Sequence, residues 1–262
     1  MAGSEVHSRS FRVVDSRSPA VTRAVAILEE LGRARRPVAL TDLARSLDLA
    51  KSTVANICTA LEAGHMIRRV DGRWALGYKV VELGQEFLAG TDLVAEFRRA
   101  AAVLPVAARE TVLLAVLDGV EVVYLARHEG TQPIRLASDI GRRMPAVVTA
   151  LGKAMLASLP VAEMEARLAG LGELPVLTPR SHRTVEDLRH DLDATRRRGY
   201  AVDDEQNTEG VTCAAVALPG RPGTPTAVSA TMLTVRASAG LSESVVADLT
   251  ALAGQLSRLT DV

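Results

Sequence analysis

Two apolar helical stripes separated by only three residues constrain the fold of this chain more than any other feature. Each stripe repeats with the i, i+3, i+4, i+7 spacing of one buried helix face. The first comprises Leu40, Leu43, Ala44 and Leu47, and the second comprises Val54, Ile57, Cys58 and Leu61. The connection between them is too short for anything but a steep crossing, which predicts a helix-turn-helix. Asp48 occupies the tight-turn position, where Asp tolerates a left-handed conformation.

Short polar side chains cover the other face of the second helix. Lys51, Ser52, Thr53 and Asn56 lie at its N-terminal end. Such groups suit phosphate oxygens and base edges, and Asn can pair with adenine through two hydrogen bonds. Thr41 is predicted to cap the first helix and to belong to the same DNA-binding set. The alternative is a solvated face on an ordinary helical hairpin.

A basic hairpin follows in the segment "MIRRVDGRWALG". Alternating residues flank Asp71-Gly72, a strong signal for a two-residue hairpin turn. Arg68, Arg69 and Arg73 cluster on this hairpin, as on the wing of a DNA-binding domain.

Upstream, "SPAVTRAVAILEELG" predicts the remaining helix, with Ser18 as cap, Pro19 in the first turn and Gly32 near its end. Residues 18–78 are therefore predicted to form a winged helix-turn-helix that binds DNA. A protein-interaction module of the same shape is the alternative.

Composition supports two domains of opposite charge. The chain has 262 residues, 48% of them hydrophobic, and no net charge. Residues 1–80 hold 13 Lys and Arg against 8 Asp and Glu, whereas the remainder holds 18 against 23. A basic DNA-facing domain and an acidic second domain are expected.

The cysteines and the N-terminal sequence argue against several classes of site and of protein. Cys58 and Cys213, the two cysteines, predict neither a disulfide framework nor a zinc site, and Cys58 lies on a buried stripe. Residues 1–17 resemble a loose arm, in which Arg9, Arg12 and Arg17 are available to DNA, although simple disorder is the preferred interpretation. Neither a membrane span nor a signal core is found, which predicts a cytoplasmic protein without a membrane partner. An aromatic content of 3% disfavours a stacking cage, and no cofactor or metal is expected.

The rest of the chain predicts an α+β domain. Residues 79–103 form a helical linker, broken at Gly90-Thr91, with Thr91 as cap. Within 104–262, two strands surround Asp118-Gly119, "PIRLAS" is a third short strand, and Thr149 caps the helix "ALGKAMLAS". Two more helices, the strands "VTCAAVALPG" and "TAVSATMLTV" and a final amphipathic helix complete the domain. Strands in hairpins with helices around them are typical of an antiparallel sensor domain.

Three segments, "AKSTV", "ALGKAMLA" and "RGYAVDDEQNTEGVTCAAV", resemble the IclR-type family of bacterial transcriptional regulators. The resemblance implies an N-terminal winged helix, a C-terminal effector-binding domain related to GAF folds, and dimers or dimers of dimers that bind small organic molecules. It also implies an effector site lined by the positions matching Ala150, Leu151, Asp203 and Cys213. Leu151 is bulkier than the small residues that relatives often have there.

The helix that begins at Thr149 supports such a site physically. Its first amides, at Ala150, Leu151 and Gly152, have no intrahelical backbone partner, and the helix dipole favours a carboxylate beside them. Other interpretations stay open. Cys213 is equally typical of a small buried hydrophobe, and Asp203 can satisfy backbone amides in the turn "VDDEQ". Arg142 and Arg143 fit either a solvated pair or an anion clamp.

The favoured function is a ligand-responsive regulator that binds double-stranded operator DNA and a small organic acid or similar polar metabolite. Repression of a catabolic operon is the favoured sign, with activation as the alternative. A homodimer is expected, because one winged helix makes few base contacts. An enzyme built on Cys213 with His182 or His190 is disfavoured, because both histidines lie in a highly charged segment. A sensor that acts only through protein partners is a third possibility.

Overall fold

The computed structural model describes residues 17–89, 92–132, 139–220 and 224–259. The chain divides into two compact units, residues 1–87 and residues 88–262. The boundary between the units lies inside one helix, residues 79–89.

The N-terminal unit is a three-helix domain followed by an antiparallel hairpin. Its elements are α1 (Pro19–Ala34), α2 (Leu40–Ser46), α3 (Lys51–Ala63), β1 (Ile67–Val70), β2 (Arg73–Leu76) and the start of α4 (Lys79–Ala89). Its core contains the predicted stripe residues Leu43, Val54 and Cys58, each fully buried. Burial also raises the pKa of the Cys58 thiol to about 11. The winged helix-turn-helix architecture is confirmed.

The two predicted turns of this unit adopt left-handed backbone conformations. Asp48, between α2 and α3, has a φ of 50°. Asp71 and Gly72 have φ values of 49° and 73°, which is the pattern of a type I′ turn. The chain therefore reverses between β1 and β2 where the sequence predicts.

Helix starts and ends differ from the predictions in this unit. α2 begins at Leu40 with Ala39 at its N-cap position, so Thr41 lies inside the helix and does not cap it. The cause is the bridge between Val38 and Trp74, because it fixes the extended backbone just before Leu40.

In α1, Ser18 occupies the N-cap position without a side-chain capping hydrogen bond. The helix ends at Ala34, so Gly32 lies near its end as predicted, and Arg35 follows in a left-handed conformation with a φ of 51°.

The C-terminal unit is a six-stranded antiparallel sheet with helices on both faces. Its helices are α5 (Asp92–Ala101), α6 (Ala150–Ser158), α7 (Val161–Ala169), α8 (Val185–Arg198) and α9 (Ala239–Leu256). Its strands are β3 (Thr111–Asp118), β4 (Glu121–His128), β5 (Arg143–Pro145), β6 (Ala201–Asp204), β7 (Val211–Ala217) and β8 (Thr226–Leu233). The strand order is β5-β4-β3-β8-β7-β6, which confirms the α+β prediction.

Each face of this sheet has its own apolar cluster. On one face, α6, α7 and α8 pack against residues such as Leu113, Tyr124 and Ala215; we call this the α6 face. On the other, α5 and α9 pack against Val112 and Val228. α5, which the sequence places in the linker, therefore contributes to the core of this unit.

Some strand predictions need correction. Asp118 pairs with Glu121, so the β3–β4 turn is Gly119-Val120 and not Asp118-Gly119. Gly119 takes the positive φ of 63°, which Gly tolerates at the first turn position. β5 and β6 were not anticipated, because three- and four-residue edge strands are too short to show a periodic pattern. The predicted strand at 133–138 and the break at Gly90-Thr91 lie outside the described residues.

Candidate nucleic-acid interface and ligand site

The polar face of α3 is open to solvent. Lys51, Ser52 and Asn56 are exposed and Thr53 is half-buried, whereas Val54 on the opposite side is fully buried. Within the described part of the chain, Lys51 has no carboxylate partner. The helix thus presents one free cation and several short hydrogen-bonding groups on one side.

The N-terminus of α3 adds a positive end to this face. Ala50 occupies the N-cap position, no side chain caps the helix, and no acidic residue lies in its first turn. Uncapped amides and the helix dipole together favour an anion such as a phosphate. Thr41 is exposed near the start of α2.

The hairpin places its three arginines on two different faces. Arg69 lies opposite Trp74 in the strand pairing, with its guanidinium 4.2 Å from the centre of the Trp74 ring. It also pairs with Glu62 of α3 at 3.5 Å. Arg69 therefore fastens the hairpin to the helices.

Arg68 and Arg73 lie on the other face of the hairpin. The guanidinium of Arg68 is 5.0 Å from the ring centre of exposed Tyr78. Arg73 is exposed and has no carboxylate partner in the described ranges. Of the arm arginines, Arg17 is exposed, whereas Arg9 and Arg12 lie outside the described residues.

The start of α6 is buried and only partly capped. The Thr149 hydroxyl accepts a hydrogen bond from the Gly152 amide at 3.1 Å, which confirms the predicted cap. The amides of Ala150 and Leu151 have no acceptor among the residues that the structure describes. Both residues are at most 3% exposed, so these two donors point into the interior of the unit rather than into solvent.

Gly152 allows this helix start to approach the preceding turn. A Cβ atom at this position would lie 2.2 Å from the Ala146 carbonyl oxygen. Any larger residue would displace the first turn of α6.

Asp203 lies on β6, directly opposite Cys213 of β7. Its Oδ1 atom accepts the amides of Gln206 at 2.8 Å and Asn207 at 3.2 Å. The side chain is buried, which raises its pKa to about 6 despite these hydrogen bonds and the charge of Lys153. The backbone-capping interpretation is therefore correct for Oδ1, while Oδ2 has no donor in the described part of the chain.

Cys213 does not form a nucleophilic site. Its thiol donates to the Thr231 hydroxyl at 3.4 Å, and burial raises its pKa to about 12. His182 contacts Asp191 and Gln206, and exposed His190 pairs with Glu186. None of these contacts involves Cys213, so the disfavoured catalytic triad is not assembled.

Lys153 is the important residue that the sequence analysis missed. It is fully buried, and its ammonium group donates to Asp191, to the Val202 carbonyl and to Gln206. Burial lowers the pKa of Lys153, and the neighbouring Asp191 opposes that effect. The available signal was a lysine surrounded by apolar residues in "ALGKAMLA".

Arg143 forms ion pairs at the surface of the sheet. It pairs with Asp118 and, at 3.1 Å, with Glu121. Its side chain remains exposed, and its charge is paired with these two carboxylates.

In the described ranges, no cluster of three or more His, Cys, Asp or Glu side chains is arranged to hold a metal ion. No helix among those described has the length and apolarity needed to cross a membrane.

Both units are similar to domains of known proteins. Residues 20–71 match the IclR helix-turn-helix domain model, and residues 85–258 match the C-terminal domain model of bacterial IclR transcriptional regulators. The HTH-type transcriptional regulator XynR of Escherichia coli is 34% identical over 198 residues, covering 75% of this chain and 78% of that protein. The transcriptional repressor IclR of Escherichia coli is 31% identical over 205 residues, covering 76% and 73%. The crystal structure of Thermotoga maritima IclR superposes with a TM-score of 0.73 at 28% identity, covering 91% of this chain and 97% of that one.

Proposed function

The chain belongs to the IclR family of bacterial transcriptional regulators, and we propose that it represses a catabolic operon until a small organic acid binds its C-terminal unit. The N-terminal unit is the helix-turn-helix DNA-binding domain, and the C-terminal unit is the effector domain. The repressor sign is supported by the relative named as a repressor. Because a transcriptional regulator works where the chromosome lies, we place this protein in the cytoplasm.

The exposed face of α3 supports DNA binding most strongly. Lys51 and the uncapped helix start contact phosphate oxygens, and Ser52, Thr53 and Asn56 reach base edges. Arg68 and Arg73 contact the backbone beside the groove, and Thr41 contacts it from α2. Arg69 supports DNA binding only indirectly, by keeping the hairpin packed on the helices, because its side chain contacts Trp74 and Glu62.

The start of α6 supports the effector site. A carboxylate there takes the unpaired amides of Ala150 and Leu151 and the positive end of the helix dipole. Asp203 Oδ2 accepts a hydrogen bond from the remainder of the ligand, and Cys213 lines the apolar side. Thr149 keeps the helix start in place through its bond to Gly152.

We further propose a homodimer or a dimer of dimers that binds a two-fold symmetric operator. Effector binding changes the spacing of two recognition helices only to the extent that the ligand prefers one arrangement of the protein. Light scattering should therefore find at least a dimer, and a stable monomer on DNA contradicts this part of the proposal.

Activation uses the same architecture and remains the second candidate for the sign of regulation. Catalysis by Cys213 is disfavoured, because a thiol whose pKa is about 12 is not a nucleophile near neutral pH.

Fluorescence anisotropy on a duplex from the region upstream of the gene, beside a scrambled duplex of equal composition, tests the DNA-binding proposal. Asn56→Ala should weaken binding to the upstream duplex by about 1–3 kcal/mol and reduce the preference for it. Lys51→Ala should weaken binding to both duplexes and lower the salt slope by about one unit.

The matched control is Lys79→Ala, which removes the same charge from α4, where Lys79 pairs with Glu82. Wild-type binding by both α3 variants, or an equal loss in the control, rules out α3 as the DNA-reading element. Preference for neither duplex by the wild-type protein would instead favour a sensor that acts through protein partners.

A further inference from the structure

The buried side chain of Lys153 connects the start of α6 with the strand that carries Asp203. Lys153 lies on α6, one turn after Thr149, and its own amide donates to the Thr149 carbonyl at 3.0 Å. Its ammonium group donates to the Val202 carbonyl on β6 and to Gln206 Oε1 just beyond that strand. Because Val202 directly precedes Asp203, one side chain links two elements that are distant in sequence.

Gln206 extends this link to the Asp203 carboxylate itself. Its side-chain oxygen accepts from Lys153, while its backbone amide donates to Asp203 Oδ1 at 2.8 Å. The Asn207 amide donates to the same oxygen at 3.2 Å. Gln206 is buried, so its bond to Lys153 is shielded from water. A displacement of the ammonium group would therefore also displace the amides that hold the Asp203 carboxylate.

Asp191 of α8 pairs with the same ammonium group. Burial raises the pKa of Asp191, but the hydrogen bonds and charges of His182 and Lys153 outweigh burial and lower it to about 2. Asp191 is therefore ionised, which favours a charged Lys153 in the interior of the unit. That charge in turn opposes the effect of burial on Asp203, whose pKa is raised to about 6.

We propose that Lys153 is a positioning residue of the effector site, which fixes the Asp203 carboxylate relative to the start of α6 without touching the ligand. The inference rests on the proposed function, in which the amides of Ala150 and Leu151 and the carboxylate of Asp203 contact one molecule. A site whose groups come from a helix and from a strand binds more tightly when their separation is fixed before the ligand arrives. The charge of Lys153 serves the same end, because an ionised carboxylate accepts hydrogen bonds at both oxygens.

A second substitution separates positioning from stability. Loss of one partner from a buried ion pair destabilises a protein mainly because the other charge stays unpaired. Lys153→Met/Asp191→Asn removes that charge, so most of the stability lost in Lys153→Met should return. The double variant still has no group that holds Val202 and Gln206, so the positioning of Asp203 should not return with the stability.

Amide NMR of the ligand-free, full-length protein measures the positioning directly. The amide protons of Gln206 and Asn207 bond to Asp203, so their chemical shifts follow its ionisation. In the wild type both should titrate with a midpoint near pH 6. In Lys153→Met and in the double variant the midpoint should rise by at least about half a pH unit, because a neighbouring positive charge is lost.

Gln206→Met decides the question if Lys153→Met does not fold. It keeps the charge of Lys153 and removes the bond to the turn, so the Asn207 amide should respond more weakly while its midpoint changes little. The matched control is Leu168→Ala on α7, which removes a buried side chain from the same apolar cluster and is also expected to be clearly destabilising. This control should keep the wild-type midpoint and response.

Calorimetry with acetate, pyruvate, lactate, benzoate and gluconate relates the positioning to ligand binding. The acid that binds the wild type most tightly should bind Lys153→Met/Asp191→Asn at least about tenfold more weakly. Urea unfolding of the same samples should show that most of the stability has returned. Leu168→Ala should bind this acid as tightly as the wild type does.

The outcomes separate this inference from the proposed function. A wild-type amide titration in Lys153→Met or in Gln206→Met, or an equal change in Leu168→Ala, overturns the positioning role. Recovery of acid affinity together with stability in the double variant overturns it as well. If none of the five acids binds the wild type, the carboxylate site is contradicted, and the amide titration alone decides whether Lys153 positions Asp203.

Discussion

The two units differ in where their polar side chains lie. In the part of the chain that the structure describes, every buried polar or charged residue belongs to the C-terminal unit: Glu110, Thr149, Lys153, Thr178, Ser181, Thr195, Asp203, Gln206, Thr226, Ser229 and Thr231. The N-terminal unit has an apolar core, and its candidate functional side chains stand on the surface.

Exposed polar side chains in one unit and buried ones in the other are expected from the two proposed partners, DNA and a small metabolite. DNA is a large, rigid polyanion that an exposed face can meet with little change in the protein. A small metabolite offers few atoms, so its site must surround it and exclude water before a few hydrogen bonds give selectivity. Burial makes each polar group costly, and the pKa values of Asp203 and Lys153 are shifted for that reason.

Removal of Lys153 should give the largest effect on stability. Lys153→Met leaves Asp191, Gln206 and the Val202 carbonyl without their shared donor, and breaking a buried pair in this way typically costs about 3–5 kcal/mol. Urea denaturation measures the loss. Lys79 is half-exposed, so Lys79→Met should change the free energy of unfolding by less than about 0.5 kcal/mol. Similar losses of stability in the two variants would contradict the difference between the buried and the surface lysine.

Asp203→Asn should stabilise the protein in a pH-dependent manner. The pKa of Asp203 in the folded protein is raised to about 6, so burying its charge costs stability progressively as pH rises from about 4 to about 6, and fully above that. Asn keeps an oxygen for the amides of Gln206 and Asn207 and has no charge.

Thermal or urea unfolding should therefore show a gain of about 1–3 kcal/mol for this variant at pH 7.5 and a much smaller gain at pH 4.5. A gain that is larger at pH 4.5 than at pH 7.5 contradicts the assignment of a raised pKa to Asp203.

The arginines of the hairpin should separate stability from DNA binding. Arg69→Ala loses the stacking on Trp74 and the pair with Glu62, so about 1 kcal/mol of folding stability should be lost. Arg73→Ala should leave stability unchanged and reduce DNA affinity with a smaller salt slope. Unfolding curves and anisotropy titrations on both variants decide this, and the reverse pattern would show that the face assignments are wrong.

The sequence predicts the N-terminal unit better than the C-terminal one for a physical reason. Short-range rules place Asp48 and Asp71-Gly72 in their turns, and the apolar stripes identify the exposed face of α3 by exclusion. The same local chemistry predicts the Thr149 cap.

Lys153 escapes such rules. Its importance depends on strands and helices that are distant in sequence, and a buried lysine has the same local sequence pattern as an exposed one. The strands β5 and β6 were missed for a related reason, since short edge strands take their structure from the neighbour with which they pair.

An anisotropy titration tests the separation of the two sites most directly. The upstream duplex is titrated with the wild-type protein and with Asp203→Asn, each with and without the small organic acid that binds the wild-type protein most tightly in calorimetry. The wild-type affinity for DNA should change by roughly 5–150-fold when the acid is added. Asp203→Asn should bind DNA as tightly as the wild type in the absence of the acid and should lose most of the response. A full response in this variant, or a loss of DNA binding without ligand, would contradict an exposed DNA-binding face controlled from a separate, buried effector site.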